Sequence, residues 1–466
     1  MITELPKNWI ETTLGTVTTK PQYGWTTKSQ NFGEYKYLRT TDIGKGNVKW
    51  DSVPFCIDLP NNVEDYVLCK DDIVISRAGS IGFSYLVKEI EPNVLYASYL
   101  IRFKPIITPR LISYFLQSNF YWKAVSDSAV GIAVKNINAP KLQSISFPLP
   151  PLPEQERIVA KLDSLFAQHE VMKKALERIP QLLKDFRKQV LMQAITGELT
   201  VGWRDEKKIS KNRMYLDEKV KILSDSLLPM KSPKSWNLIH LGYLLEDLTD
   251  YHANGSYEIL KENVTLLEDK SYAAMIRSTN FEKNNFNDLL IYINEKAYNF
   301  LSKSKLHGGE ILISKIGNAG SVYFMPKLDM PSSLAMNLFM LRINNRYNNK
   351  YIYYHLISEF SKENTNKYVR GVTTKSIDKI SVRSLTINLP PFEEQQEIVT
   401  RIESLFLKAD VIEKRYKILK EKIDSLPQAI LHKAFKGELV PQLPTDGDAK
   451  DLLKEILKLK SEVKKK

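Results

Sequence analysis

The sequence predicts a mixed α+β chain, in which two α/β domains are separated by long helices that pair with each other as a coiled coil in a pseudo-twofold internal repeat. Three observations predict it. Leu149-Pro150-Pro151-Leu152-Pro153-Glu154-Gln155 returns as Leu389-Pro390-Pro391-Phe392-Glu393-Glu394-Gln395. From Ile158, and again from Ile398, apolar residues advance by alternating steps of four and three, the period of a coiled-coil seam. Ahead of each helix, β-type runs such as Ile73-Val74-Ile75-Ser76 and Ile311-Leu312-Ile313-Ser314 alternate with helical patterns such as Leu111–Leu116 and Tyr351–Leu356.

The helical match runs without a gap from Ile158 to Gly197-Glu198-Leu199, against Ile398 to Gly437-Glu438-Leu439. Elsewhere the correspondence is looser. Pro6-Lys7-Asn8-Trp9 answers Pro233-Lys234-Ser235-Trp236, Leu38–Asp42 answers Ile276–Asn280, and Asp72–Gly82 answers Glu310–Gly320. The offset drifts from 227 (6 to 233) through 238 (72 to 310) to 240 (149 to 389). Loops have gained and lost residues while helix length was held, as expected of variable surfaces mounted on a measured spacer. The boundaries that follow are a first domain over 1–150, a first helix over 151–200 and a linker over 201–230. A second domain over 231–390, a second helix over 391–440 and a basic tail over 441–466 complete the chain, with Lys464-Lys465-Lys466 read as mobile.

A chain of 466 residues with 43% hydrophobic content exceeds one ordinary core and can bury two. No apolar run approaches the roughly 20 residues of a membrane span, and Met1-Ile2-Thr3-Glu4 does not begin a signal peptide. Cys56 and Cys69 suggest neither a disulfide nor a metal knot, which fits a reduced, cytoplasmic setting. The net charge of +13 and pI near 9.2 favour a polyanionic partner over a merely solvated basic face.

The first seam comprises Ile158, Leu162, Leu165, His169, Met172, Leu176, Ile179, Leu183, Phe186 and Val190. The second comprises Ile398, Ile402, Leu405, Ala409, Ile412, Tyr416, Leu419, Ile423, Leu426 and Ile430. Acidic residues lie in each first turn, where the helix dipole favours them, and Gly197 and Gly437 suit the position just past a helix end. Pro180 and Pro427 are expected to kink or split their helices. His169 reads as a seam residue rather than a ligand, since no second His or acid lies at metal-ligand spacing. At about 1.5 Å per residue each helix would extend roughly 65 Å.

Candidate DNA contacts come from turn chemistry. Arg77-Ala78-Gly79-Ser80-Ile81-Gly82 and Lys315-Ile316-Gly317-Asn318-Ala319-Gly320 each follow a strand with a cation and a glycine-rich turn, which lets backbone N–H groups approach a phosphate. A plain tight turn is the alternative, and recurrence of the cation and both glycines weighs against it. Gly131…Lys135-Asn136 and Gly371…Lys375-Ser376 place a lysine after a glycine and small residues. Arg39 with Thr40 and Thr41, and Arg277 with Ser278 and Thr279, pair a guanidinium suited to guanine with hydroxyls suited to phosphate. Tyr23, Trp25, Tyr251 and Tyr257, in the most divergent stretches, suit core or contact roles equally.

Catalytic and metal sites are not expected. The sequence has no G-x-x-x-x-G-K-[ST] phosphate loop, and its six histidines form no metal-like cluster. Asn388-Leu389-Pro390-Pro391-Phe392 approaches the Asn/Asp-Pro-Pro-aromatic motif of amino-methyltransferases, but Leu389 displaces the amide. Glu268-Asp269-Lys270 matches a nuclease Glu-x-Lys fragment only at chance level.

The two Leu-Pro-Pro-x-x-Glu-Gln segments, the heptad helices and the closing Gly-Glu-Leu at 197–199 and 437–439 together resemble the specificity subunit of type I restriction-modification systems, over nearly the whole chain. The resemblance implies a non-catalytic subunit that binds double-stranded DNA. Each domain, a target recognition domain, would read half of a split, asymmetric site, and the helices, pairing as an antiparallel coiled coil, would set the unread spacer. They would also dock two modification (methyltransferase) subunits carrying S-adenosylmethionine, joined by restriction subunits using ATP and magnesium for translocation and cleavage. Two other readings compete: a self-contained methyltransferase or nuclease, and a coiled-coil scaffold without a nucleic-acid role.

Overall fold

The computed structural model describes residues 5–44, 47–88, 93–128, 136–207, 220–224 and 232–463. It divides into two compact units, residues 1–177 with 417–466, and residues 178–416.

In the first unit, Ile10–Thr13 pairs antiparallel with Ser146–Leu149 and so closes the globular part beside the start of the helix. An antiparallel sheet orders the strands Gln22–Tyr23, Leu100–Phe103, Ile73–Ser76 and Ser84–Leu86. A second, mixed sheet orders Val94–Tyr96, Lys36–Leu38, Phe55–Cys56 and Ser29–Gln30. Alternation along the central strand explains its continuous apolar character. Ile73 and Ile75 join a core with Phe115, Ile158 and Leu162, while Val74 faces a second core with Leu38 and Val94.

The second unit repeats the plan. Asn237–His240 pairs with Thr386–Leu389, and a sheet orders Leu245–Asp250, Leu338–Ile343, Ile311–Ser314 and Val322–Phe324. A second sheet orders Ile291–Ile293, Ala273–Ile276, Ser332–Leu334 and Lys305–Leu306. Ile311 and Ile313 again face the helix residues Ile398 and Ile402, and Leu312 faces Ala274 and Leu334.

The long helices are Leu152–Glu177, Ile179–Thr196 and the 44-residue Phe392–Phe435. Within the first unit, Ile158 and Leu162 share a core with Ile430, Leu431 and Ala434, whereas His169 reaches back to Ile423. Within the second, Val190 and Ala194 share a core with Ile398 and Ile402, and Arg187 bridges Asp410 and Glu413. Both pairings run antiparallel, as the resemblance implies. Gly197 and Gly437 adopt left-handed φ values of 79° and 75° at the helix ends.

The two prolines behave differently, which corrects the expectation that both helices would be kinked or split. Pro180 lies in the first turn of Ile179–Thr196, where its missing N–H costs nothing, and the helix is interrupted at Arg178. Pro427 stays inside an unbroken helix. It deprives the Ile423 carbonyl, four residues earlier, of its usual donor. His169 Nε2 lies 2.9 Å from that carbonyl oxygen and donates in its place.

The seam is also narrower than the heptads suggest. Buried positions recur at every seventh residue through Leu162, His169, Leu176, Leu183 and Val190, and on the second helix at Ile402, Ala409, Ile423 and Ile430, with Tyr416 between them half-buried. The alternate stripe is covered only near the globular domains. Ile158 and Ile398 are buried and Leu165 and Leu405 half-buried, but Met172, Ile412 and Leu419 are 41%, 48% and 47% exposed, and Phe186 is exposed as well. At mid-length a helix has no third layer over it, so a seam flank stays in solvent.

The basic tail expected over 441–466 is largely folded. Ala449–Val463 is a helix whose Ala449 and Ile456 are buried in the first unit's core. Lys460 Nζ donates to the carbonyls of Gly15, Thr16 and Thr18. The amphipathic spacing of 449–456 supplied enough burial to order the segment. Lys464-Lys465-Lys466 lies outside the described residues. The expected linker 201–230 begins with a helix over Val201–Lys207.

Candidate nucleic-acid interface

The most specific repeated motif proves to be a clamp that fixes each domain to its helix. Glu154 and Glu394 are fully buried. Each accepts an indole N–H, from Trp9 and from Trp236, both at 2.9 Å. Gln155 and Gln395 donate to the carbonyls of Pro150 and Pro390 at 2.9 and 2.8 Å and accept from the backbone N–H of Thr108 and Asn348. The other Glu154 donors are the neutral amides of Asn8 and Gln442, whereas Glu394 meets the Arg204 guanidinium and the Thr200 hydroxyl. These roles were missed in the sequence, although the repeated Trp and the repeated Glu were both visible there.

The glycine turns project from the ends of the central strands. Gly82 N–H donates to Ser76 O at 2.9 Å and Gly320 N–H to Ser314 O at 2.8 Å, with φ near +80° and +85°. A Cβ on Gly320 would stand 2.7 Å from Thr365 Cγ2, so the position has neither the conformation nor the room for a side chain. The flanking Gly79 and Gly317 also have positive φ, and Gly317 and Asn318 are exposed while Ser80 is half-buried. The structure joins each turn to the second lysine motif. Ile377 N–H donates to Lys315 O and Gly317 N–H to Lys375 O, and Ile137 N–H donates to Arg77 O. Lys135 lies outside the described residues.

The same three framework positions carry different chemistry in the two domains. Tyr23 opposes Ile101 in its sheet, and Asp250 opposes Phe339 at the corresponding rung. In the first unit the Arg77 guanidinium lies 5.0 Å from the Tyr23 ring centroid, and the Tyr23 hydroxyl accepts from Ala139 N–H at 3.0 Å. In the second, Lys315 and Lys379 pair with Asp250 at 3.1 and 2.9 Å. Burial pushes the Asp250 carboxyl up, but the hydrogen bonds from Lys379 and Lys315 outweigh it and hold it below the usual carboxylate range. Lys315 is thereby largely neutralised, while Arg77 meets no carboxylate, only the Tyr23 ring face and, through Nε at 3.4 Å, the neutral Asn136 Oδ1.

Arg39 and Arg277 also part company. Arg39 makes a forked pair with Asp42 at 2.8 and 2.9 Å, and Asp42 also accepts the Arg39 backbone N–H, with Thr40 in the turn between them. In the second unit the neutral amide of Asn280 replaces that acid at the turn and accepts the Arg277 backbone N–H. Its Nη2 donates to Leu289 O, and its Nε is buried without a partner. Arg277, Ser278 and Thr279 line a cleft of about 240 Å³ with Tyr251, Met336 and Asn337.

Lys375 differs from the other candidate cations described. It lies in a wholly exposed hairpin, Arg370–Ser376, with Arg370 at the opposite foot. Arg370 was missed in the sequence, although it stands directly before the motif's glycine. The Asn388 side chain is buried and donates to Ile195 O at 2.8 Å, a packing role. Among the described residues no group of three or more His, Cys, Asp or Glu is placed to hold a metal, and no helix is long and apolar enough to cross a membrane.

The family described as "Type I restriction modification DNA specificity domain" matches this chain twice, at residues 6–181 and 243–421. The specificity subunit of the type I restriction enzyme StySPI from Salmonella potsdam is 28% identical over 94% of this chain and 91% of its own length. The EcoKI specificity subunit of Escherichia coli K12 is 27% identical over the same shares. The crystal structure of the HsdS subunit from Thermoanaerobacter tengcongensis, 17% identical, shares the fold with a TM-score of 0.57 over 93% of this chain and 98% of that one. With its two matched segments falling one on each α/β domain and adjoining helix, the chain belongs to the type I restriction-modification DNA specificity family.

Proposed function

We propose that this chain is the sequence-reading subunit of a type I restriction-modification complex, acting on double-stranded DNA. Each α/β domain reads one half of a bipartite, asymmetric site, and the paired helices set the length left unread between the halves. The observation that carries this reading is the repeated framework with exchanged chemistry: Tyr23, Arg77 and Ala139 occupy the positions held by Asp250, Lys315 and Lys379. Two frames of one geometry that present different side chains suit a site whose halves differ in sequence.

The helices dock two modification subunits, and the apolar stripe supports this. In the first unit Val171, Met172, Ile418 and Leu419 are exposed, and in the second Leu182, Phe186, Leu407, Val411 and Ile412. Apolar side chains left at heptad spacing on an exposed helix pair suit helices contributed by another protein. The chain itself carries no catalysis. S-adenosylmethionine serves adenine methylation on the modification subunits, and ATP with magnesium serves translocation and cleavage on the restriction subunits.

Co-expression with the neighbouring genes, followed by mapping of methylated adenines, tests the reading. A two-part methylated motif with a fixed gap is expected. Methylation or cleavage by the purified chain alone would instead mark a self-contained enzyme, and partner assembly indifferent to DNA would mark a scaffold.

A further inference from the structure

The Arg370–Ser376 hairpin stands apart from the framework contacts above. Its feet are fixed by reciprocal hydrogen bonds, Arg370 N–H to Ser376 O at 2.9 Å and Ser376 N–H to Arg370 O at 2.8 Å. Lys375 O accepts from Gly317, which ties the hairpin to the glycine turn. Gly371 has φ +99°, and a Cβ there would lie 2.2 Å from Thr374 O, so the turn holds one shape. Every residue from 370 to 376 is exposed, and Val372 is 99% exposed. Among the described residues neither the Arg370 nor the Lys375 side chain makes a hydrogen bond or ion pair. A braced turn that lifts one branched apolar side chain clear of the surface, between two cations of which Arg370 is drawn only through space to the Asp378 carboxylate, adds no apolar burial to the domain. The corresponding stretch of the first half, Gly131-Ile132-Ala133-Val134-Lys135, also sets a branched apolar residue, Ile132, straight after its glycine.

We propose that this hairpin is a wedge, in which Val372 enters between neighbouring base pairs while Arg370 and Lys375 hold the flanking phosphates. An apolar wedge unstacks a base step and bends the duplex, and charges beside it compensate the phosphates it approaches. The proposal rests on the reading of the second unit as a DNA-binding domain. It adds a contact that senses how easily a step opens, in addition to reading of base edges.

The test uses the full chain assembled with its methyltransferase partners, on duplexes carrying the site found by adenine mapping. 2-Aminopurine is placed in turn at positions other than the methylated adenines. The wild-type assembly is expected to brighten the probe at one step, and Val372→Ala to abolish that signal with a roughly tenfold loss of affinity, the effect of withdrawing two methyl groups from a buried contact. Arg370→Ala with Lys375→Ala is expected to reduce the salt slope by roughly two units. Because Val372 touches nothing in the domain, its variants fold as the parent does. A reduced salt slope with no bright step in the wild-type assembly would make the hairpin a phosphate clamp and overturn the wedge. Unchanged binding by Val372→Ala and Val372→Asp would overturn it too, as would loss of partner assembly in Val372→Asp, which would assign the tip to a protein. If the wild-type assembly marks no bipartite site at all, the functional reading falls and the wedge falls with it.

Discussion

The contact between His169 and the Ile423 carbonyl makes a quantitative prediction about the helix pair. Pro427 has no N–H for that carbonyl, and His169 Nε2 supplies a donor at 2.9 Å from the facing helix, with both residues buried. Replacing His169 with alanine leaves a buried carbonyl unpaired, a cost of about 1–3 kcal/mol. Pro427→Ala returns an N–H to the helix at position 427, so the carbonyl regains a donor from its own chain. His169→Ala should then cost less in the Pro427→Ala background, with a coupling energy of about 1 kcal/mol or more. Urea unfolding of the wild type, the two single variants and the double variant measures this cycle, and steric effects common to both backgrounds cancel. His169→Gln, which keeps an N–H within reach, should recover part of the loss. Additivity within about 0.5 kcal/mol would refute the idea that the histidine replaces the bond the proline removes.

Three further outcomes are expected. Arg204→Ala removes the cation from the fully buried Glu394 and should destabilise the chain by about 3–5 kcal/mol in urea unfolding, with Glu394→Gln in the same background restoring a good part. His355 is fully buried, accepts from Asn388 N–H through Nε2 and meets Ser361 Oγ through Nδ1, and burial depresses its pKa to about 3. Above about pH 6.5 the ring is neutral in folded and unfolded chains alike, but below it only the unfolded chain takes up the proton. Stability should therefore fall by up to about 1.4 kcal/mol per pH unit between about 6.5 and 3, a slope that thermal melts should show reduced in His355→Gln. Inserting one heptad into each long helix keeps the seam in register and adds about 10 Å, so the gap in the methylated motif should widen by roughly three base pairs. An unchanged gap would remove the spacer role.

Much of the architecture was legible because a repeat and a heptad are periodic signals that survive without tertiary context. The strands at Ile73 and Ile311, the long paired helices and their glycine ends all follow from such local patterns. What the period leaves out is the material that covers each face. Met172 and Leu165 share a heptad position, yet one is exposed and the other half-buried, because only the latter packs against the first unit's core. Asp42 and Asn280, three residues beyond their arginines, were readable as local partners. Asp250 was not, since strand register brings it to Lys315 across 65 residues. The prolines show the same limit: local sequence places Pro180 at a helix start, but the group that accommodates Pro427 arrives from another helix.

The discontinuous make-up of the first unit sets the order in which the chain matures on the ribosome. Residues 178–416 form a contiguous unit and have all their core partners once they emerge. The core around Ile158 and Leu162 waits for Ile430, Phe435 and Ile456, which come from the segment beginning at residue 417. At about 5–20 residues per second the 239 intervening residues (178 to 416) take roughly ten to fifty seconds. During that interval the first domain carries an unfinished apolar surface, so the earliest-made half of the protein is the last to be sealed.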